Sequence, residues 1–213
     1  MGKLTDGPHG AMTGRTGKLV GRETKNGNII SLTPHKSNRP ATEGQFQVRS
    51  ELSTMSSFLV CAIKIIRTGF KHHAKKMTPM NAAMSYNLKH AIKRTESDFE
   101  IDYSKVMFSR GLLLEPDAPT VTVETGQKII FSWVPEEEDT AYNSETDLVS
   151  IVTYSASQDK FTTAVNKGVR GAGLYTMKLS ENFKGDLVHC YISFTSIKGK
   201  ASNSIYVGNV III

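Results

Sequence analysis

Apolar residues recur every three or four positions at Val48, Leu52, Met55, Leu59, Ala62, Ile63 and Ile66. That spacing gathers them on one face of a helix, which Phe46 and Phe58 widen. Ahead of the run, Thr42-Glu43-Gly44-Gln45 reads as a capping box, with Thr42 as N-cap and Gln45 reaching back to it. Gly69 is expected to close this helix as the residue just beyond its C-cap, with Lys64 and Arg67 in its last turn. Thr78-Pro79 opens a second helix, with Pro at the first helical position. Its apolar face is Met80, Ala83, Met84, Leu88, Ala91 and Ile92. The basic connection Gly69–Met77 would make the two helices a hairpin.

The period then shortens to two. Phe99, Ile101 and Tyr103 alternate with polar residues and continue into Val106 and Phe108, a strand with a bulge expected at Ser104-Lys105. Glu115-Pro116-Asp117-Ala118-Pro119 places two prolines in a stiff joint, the strongest boundary signal in the chain. Beyond it the text is all β. Predicted strands are Thr120–Glu124, Lys128–Val134, Asp147–Ser155, Lys160–Val165, Gly173–Leu179, Leu187–Ile197 and Ser202–Val210. Short strands at this spacing predict an antiparallel sandwich, and the lone Trp133 is the large aromatic its core requires. The chain ends on Val210-Ile211-Ile212-Ile213. These four apolar β-formers need pairing, either in the sandwich's own sheet or on another subunit's edge.

Before Thr42 the pattern thins to one apolar cluster, Ile29, Ile30 and Leu32, read as a strand after a turn at Asn26-Gly27. The rest is glycine-rich. Gly7, Gly10, Gly14, Gly17 and Gly21 are spaced 3, 4, 3 and 4 apart, so on a helix they would share a face. Each interior glycine costs a helix roughly 0.5–1 kcal/mol, which makes an isolated helix implausible. The glycines therefore suggest a surface that another backbone approaches closely, on an arm ordered by a partner such as a second copy.

Charge sharpens this division. Residues 1–110 carry 18 Lys and Arg against 8 Asp and Glu, and residues 111–213 carry 8 against 12, which gives +10 and −4 within a net +6. The basic half suits nucleic acid or an anionic surface, and equally the acidic half of a neighbouring copy. Arg15, Lys18, Arg22, Lys71, Lys75 and Lys76 are the candidate phosphate contacts. No apolar run is long enough for a membrane span. The N-terminus has no apolar core, so no secretory signal peptide is expected. That suggests a cytoplasmic location or a place within an assembled particle. Cys61 and Cys190 are then expected to be separate buried thiols.

Chemistry-bearing motifs are sparse. Gly17-Lys18 lacks the upstream glycine and following Ser or Thr of a phosphate loop. His72-His73 has no third ligand at metal-binding spacing. His90 and His189 stand alone, and Asn81, Tyr86 and Asn87 read as helix-packing residues, with recognition of bases or a carbohydrate as the alternative. The acidic run Glu136–Asp139 lacks a calcium-loop pattern and reads as a solvated loop or a dock for a basic arm. No cofactor, metal or catalytic residue is assigned.

Two resemblances add to this reading. Ala118-Pro119, the strand ending at Trp133, and Tyr191 on the penultimate strand make the C-terminal half similar to a fibronectin type III or immunoglobulin-like domain. The cysteine pair of antibody domains is missing, so the fibronectin-like form is the closer one. Over nearly its full length the chain also resembles an uncharacterised protein family of about this length found in Bacteroidota. The carrying segments are Met1–Leu4, the glycine series to Gly21, Gly69-Phe70-Lys71, Asn81–Ile92, Ile101–Val106, Ser109-Arg110-Gly111, Phe131–Trp133 and Tyr206–Gly208. That resemblance supplies no catalytic residues.

The expected architecture is α+β. It comprises a basic arm (1–41), a helical hairpin plus strand (42–114), a proline joint (115–119) and a sandwich (120–213). The expected function is that of a non-catalytic structural protein, such as a filament, shell or phage-like virion component. It would self-assemble through the five glycines and Ile211, Ile212 and Ile213. The alternatives are nucleic-acid binding by the basic half, and an adhesion or carbohydrate-binding sandwich.

Overall fold

The structure, a computed structural model, describes residues 3–4, 10–24, 27–34, 39–95, 98–136 and 139–213. They divide into two compact units, Met1–Gln47 and Val48–Ile213.

The first unit is a β-meander of β1 (Lys3–Leu4), β2 (Met12–Thr16), β3 (Leu19–Thr24) and β4 (Gly27–Leu32), antiparallel and in chain order. The expected strand at Ile29–Leu32 is present as β4, with Gly27 as its first residue; Asn26 lies outside the described residues. The glycine rhythm is not helical. Gly14 in β2 pairs with Gly21 in β3 across a turn at Gly17-Lys18. A spacing of seven that suggests two helical turns is here the spacing of cross-strand partners in a tight hairpin.

The second unit begins in α1 (Glu43–Val60), which the capping box starts as expected: Thr42 N–H donates to Gln45 Oε1 (3.3 Å) and Gln45 N–H to Thr42 Oγ1 (3.4 Å). The helix does not run on to Gly69. It breaks at Cys61-Ala62, and α2 (Ile63–Gly69) leaves at 93°. The bend lets Met55, Phe58 and Leu59 of α1 and Ile65 and Ile66 of α2 reach one core. Gly69 does not cap in a left-handed conformation. It is the last residue of α2, and a Cβ there would lie 2.5 Å from Ser109 Oγ, so glycine serves close packing. α3 (Pro79–His90) starts as read, with Thr78 Oγ1 accepting from Asn81 N–H at 3.2 Å.

β5 (Ile92–Arg94) pairs with β6 (Phe99–Ile101). The strand expected to continue through Tyr103 to Phe108 ends at Ile101. Asp102 caps a 3-10 turn at Tyr103–Lys105 instead, accepting from Ser104 N–H and Oγ–H. That turn brings Tyr103 to Tyr191, whose hydroxyl donates to the Tyr103 carbonyl at 2.7 Å.

All seven predicted strands of the C-terminal half are present: β7 (Asp117–Glu124), β8 (Lys128–Val134), β9 (Leu148–Ser155), β10 (Lys160–Ala164), β11 (Leu174–Lys178), β12 (Leu187–Thr195) and β13 (Ile205–Ile211). They form two sheets, β11-β8-β7 and β10-β9-β12-β13. Between the sheets lie Ile129, Phe131 and Trp133 of β8, Val149 and Ile151 of β9, and Val188, Cys190, Ile192 and Phe194 of β12. On the other face of the four-stranded sheet, Val152, Tyr154 and Tyr191 pack against the helices. Burial on both faces explains why β9 and β12 are nearly continuous runs of buried residues while β8 alternates. Helices and sandwich therefore share a core. The segment 115–119 marks no division between units, since Asp117 already begins β7, with a register shift before Thr120.

Ile212 is only 1% exposed and belongs to the inter-sheet core. Its N–H donates to Asp186 O and its carbonyl accepts from Gly185 N–H. The apolar C-terminus thus completes its own sandwich, which removes Ile212 from any assembly surface; Ile211 and Ile213 stay exposed. Cys190 is buried and its thiol is pushed up to about 12 by desolvation, while Cys61 is exposed, contrary to expectation; neither is bonded.

Candidate functional site

Two surfaces carry most of the sequence-predicted residues. The first is the meander. Register puts Met12, Gly14, Thr16, Leu19, Gly21, Ile30 and Leu32 on one face, and Arg15, Val20, Arg22 and Ile29 on the other. Leu19, Ile30 and Leu32 are 43%, 58% and 69% exposed. β4 is last in the sheet order, and every residue along it is exposed.

The glycines have separate duties. Gly14 and Gly17 adopt left-handed backbone, at φ +92° and +60°, which a side chain would strain. Gly21 has a backbone pressed against it, but that backbone belongs to its own sheet: a Cβ would lie 2.0 Å from Met12 O. This corrects the expectation that Gly21 waits for a second chain. Gly10 lies at a bend before β2, and Gly7 is outside the described residues. Arg15 is exposed and donates to Gly17 O at 3.1 Å; Lys18 and Arg22 are also exposed.

The second surface surrounds α3. Lys71, His72 and His73 form a 3-10 turn after α2, followed by Lys75 and Lys76, all exposed. Sequence reasoning singled out these lysines, set His90 aside as a lone histidine, and missed Lys89 and Arg110. Tyr86, Lys89 and His90 lie three and four residues apart on α3, a signal legible in the spacing. Arg110 arrives from a distant segment, fixed by its N–H donating to Gly69 O at 3.1 Å. Its guanidinium lies 5.0 Å from the centre of the Tyr86 ring, and the Tyr86 and His90 rings are 4.4 Å apart. Two hollows share Tyr86, Lys89 and His90. One, of about 580 Å³, continues over Ser104, Lys105, Ser204 and Tyr206; the other, of about 290 Å³, is bounded by Phe70, His73 and Arg110. Desolvation, and then the charges of Arg110, His72 and Lys75, hold His73 below the ordinary histidine range.

The remaining candidates are structural. Asn87 is fully buried. Its amide donates to Ala83 O and Met107 O (both 2.9 Å) and accepts from Met107 N–H (2.8 Å), clamping the 107 segment to α3. His189 is buried on the outer face of β12, with Nδ1 3.0 Å from the Tyr206 hydroxyl and its ring stacked on Tyr103. The buried Arg170 pairs with Asp147 and Glu136, both at 3.2 Å, and lies over the Phe194 ring. Glu136 is therefore part of a structural ion pair. Asp139 accepts from Ser144 and Glu145 of the following loop, and Glu137 and Glu138 lie outside the described residues. Among the described residues no three of His, Cys, Asp or Glu come together as a metal site, and no helix is long and apolar enough to cross a membrane.

A three-plus-four-stranded sandwich whose larger sheet is covered by helices, with a β-meander ahead of it, defines the class. Residues 11–208 match the model of the family of unknown function DUF6266, and the chain belongs to that family. No curated protein matches it. Among solved structures, the fibronectin type III domain of the human collagen alpha-1(XX) chain is similar at 12% identity and a TM-score of 0.35, covering 47% of this chain and 85% of that one. The twitchin kinase region of C. elegans is similar at 17% identity and a TM-score of 0.33, covering 46% and 17%.

Proposed function

We propose that this is a non-catalytic structural protein that self-assembles through its N-terminal meander, as the subunit of a filament, shell or virion-like particle. The observation that carries the reading is the exposed apolar face of Leu19, Ile30 and Leu32 beside β4, the last strand of its sheet among the described residues. Burying each of these side chains contributes roughly 1.5–3 kcal/mol, and a strand added at β4 satisfies a row of open backbone groups. A few short strands with one apolar face bury too little to offset their ordering entropy alone. The opposite charges of the two halves favour a head-to-tail contact over a like-with-like one.

Light scattering after size-exclusion chromatography, with nucleic acid removed, tests this reading. The wild-type chain is expected to form concentration-dependent oligomers. Replacing Ile30 and Leu32 by Lys should give a monomer with unchanged circular dichroism. A wild type that stays monomeric at every concentration, or a variant with wild-type particle size, refutes it.

A further inference from the structure

Beyond assembly, we infer that the α3 face bearing Tyr86, Lys89 and His90, with Arg110 and His73 beside it, binds single-stranded nucleic acid. Cations cluster there. In the second unit Arg94 pairs with Glu51, Lys93 and Lys105 with Asp102, and Arg170 with Glu136 and Asp147, the Lys105 pair standing at the edge of the larger hollow. Among the described residues no carboxylate pairs with Lys89, Arg110, Lys71, Lys75 or Lys76. Desolvation first, and then the charges of Arg110, His72 and Lys75, depress His73, and a phosphate placed there would meet those charges.

The cations also flank planar groups. The Arg110 guanidinium and the His90 ring each lie against the Tyr86 ring; Arg110 and His90 are exposed and Tyr86 is half-buried. A backbone track of cations beside exposed rings and a guanidinium plane is how single strands are held without sequence preference. In a duplex the base faces are stacked away and could not use the planar groups. Ser104, Ser204 and Tyr206 also line the larger hollow, their hydroxyls held by Asp102, by the Phe108 and Ser109 N–H groups, and beside His189 respectively. The site lies wholly in the second unit, so it does not depend on the meander.

Fluorescence anisotropy with labelled oligothymidylate of about 12 nucleotides, using the full chain freed of nucleic acid, tests the assignment. Binding should weaken steeply between about 50 and 200 mM salt. Lys89→Glu with Arg110→Glu should cut affinity at least tenfold and flatten the salt slope, with the urea midpoint unchanged. His90→Ala should weaken oligonucleotide binding severalfold while leaving inorganic polyphosphate binding within twofold, because polyphosphate has no base to stack. Arg15→Ala with Arg22→Ala on the meander should keep most of the affinity. The assignment fails if the wild type does not bind at low salt, or if the meander variant loses binding while the α3 variant keeps it. It also fails if duplex DNA or polyglutamate binds as tightly as the single strand.

Discussion

Trp133 and Arg170 brace one end of the sandwich together. The indole N–H donates to the Arg170 carbonyl at 2.7 Å, the indole meets Phe194 edge-on, and the Arg170 guanidinium lies over that same ring. Trp133→Ala should cost roughly 3–5 kcal/mol, and a urea midpoint near wild type would contradict the packing described. Arg170→Met leaves Asp147 buried without its partner, at a cost of about 3–5 kcal/mol in the same assay. Acidity acts through His189 and His73, both held below the ordinary value of 6.5, His189 by desolvation and His73 chiefly so. The folded state resists protonating them, so stability is full above that value and falls as pH drops through it. Glu51 and Asp102 act at lower pH. Hydrogen bonds from Arg94 and Ser104 respectively depress their carboxyls, so their stabilisation is lost only as pH falls below about 4.5 and 3.8. Thermal melts across pH should show the first decline below neutrality, and His189→Asn should flatten part of it.

At the scale of elements, glycine marks different constraints in strand and helix. Gly21→Ala forces a Cβ against the Met12 carbonyl, so the meander should open and the proposed assembly should be lost with it. Gly44, in the first turn of α1, has open space around it. Gly44→Ala should therefore stabilise the helix by up to about 1 kcal/mol. Chromatography reads the first variant and a denaturant midpoint the second. The start of α1 was legible because a capping box is a local contract between residues 42 and 45. Its break at Cys61-Ala62 was not: the bend lets Phe58 of α1 and Ile65 and Ile66 of α2 reach one core, whose other members come from distant segments of the chain. In the same way Tyr103 alternates like a strand residue, but Asp102 and Tyr191 take it into a turn.

For the whole molecule, the shared core is what joins α-helical and β text. Removing residues 42–114 would uncover Val152, Tyr154 and Tyr191 on the sheet's outer face. The isolated sandwich should then bind a hydrophobic dye and aggregate, whereas the second unit kept whole should not. Limited proteolysis of monomers should cut before Gln47 rather than at the prolines of 115–119, which are tied into β7; first cleavage at that joint would contradict the single second unit.

Sequence alone determined the strands of the sandwich, the N-terminal caps of α1 and α3, and the asymmetry of charge, because each rests on neighbours a few residues apart. Tertiary structure alone decided the rest. It turned a helical-looking glycine rhythm into a cross-strand pair, since period seven fits both a helix face and a short hairpin. It gave Ile212 to its own core rather than to an interface, since an apolar terminus needs cover whatever its source. It also brought Arg110 beside Tyr86 and His90. Residues far apart in the chain share a surface only when packing of the intervening helices and sheets fixes their distance.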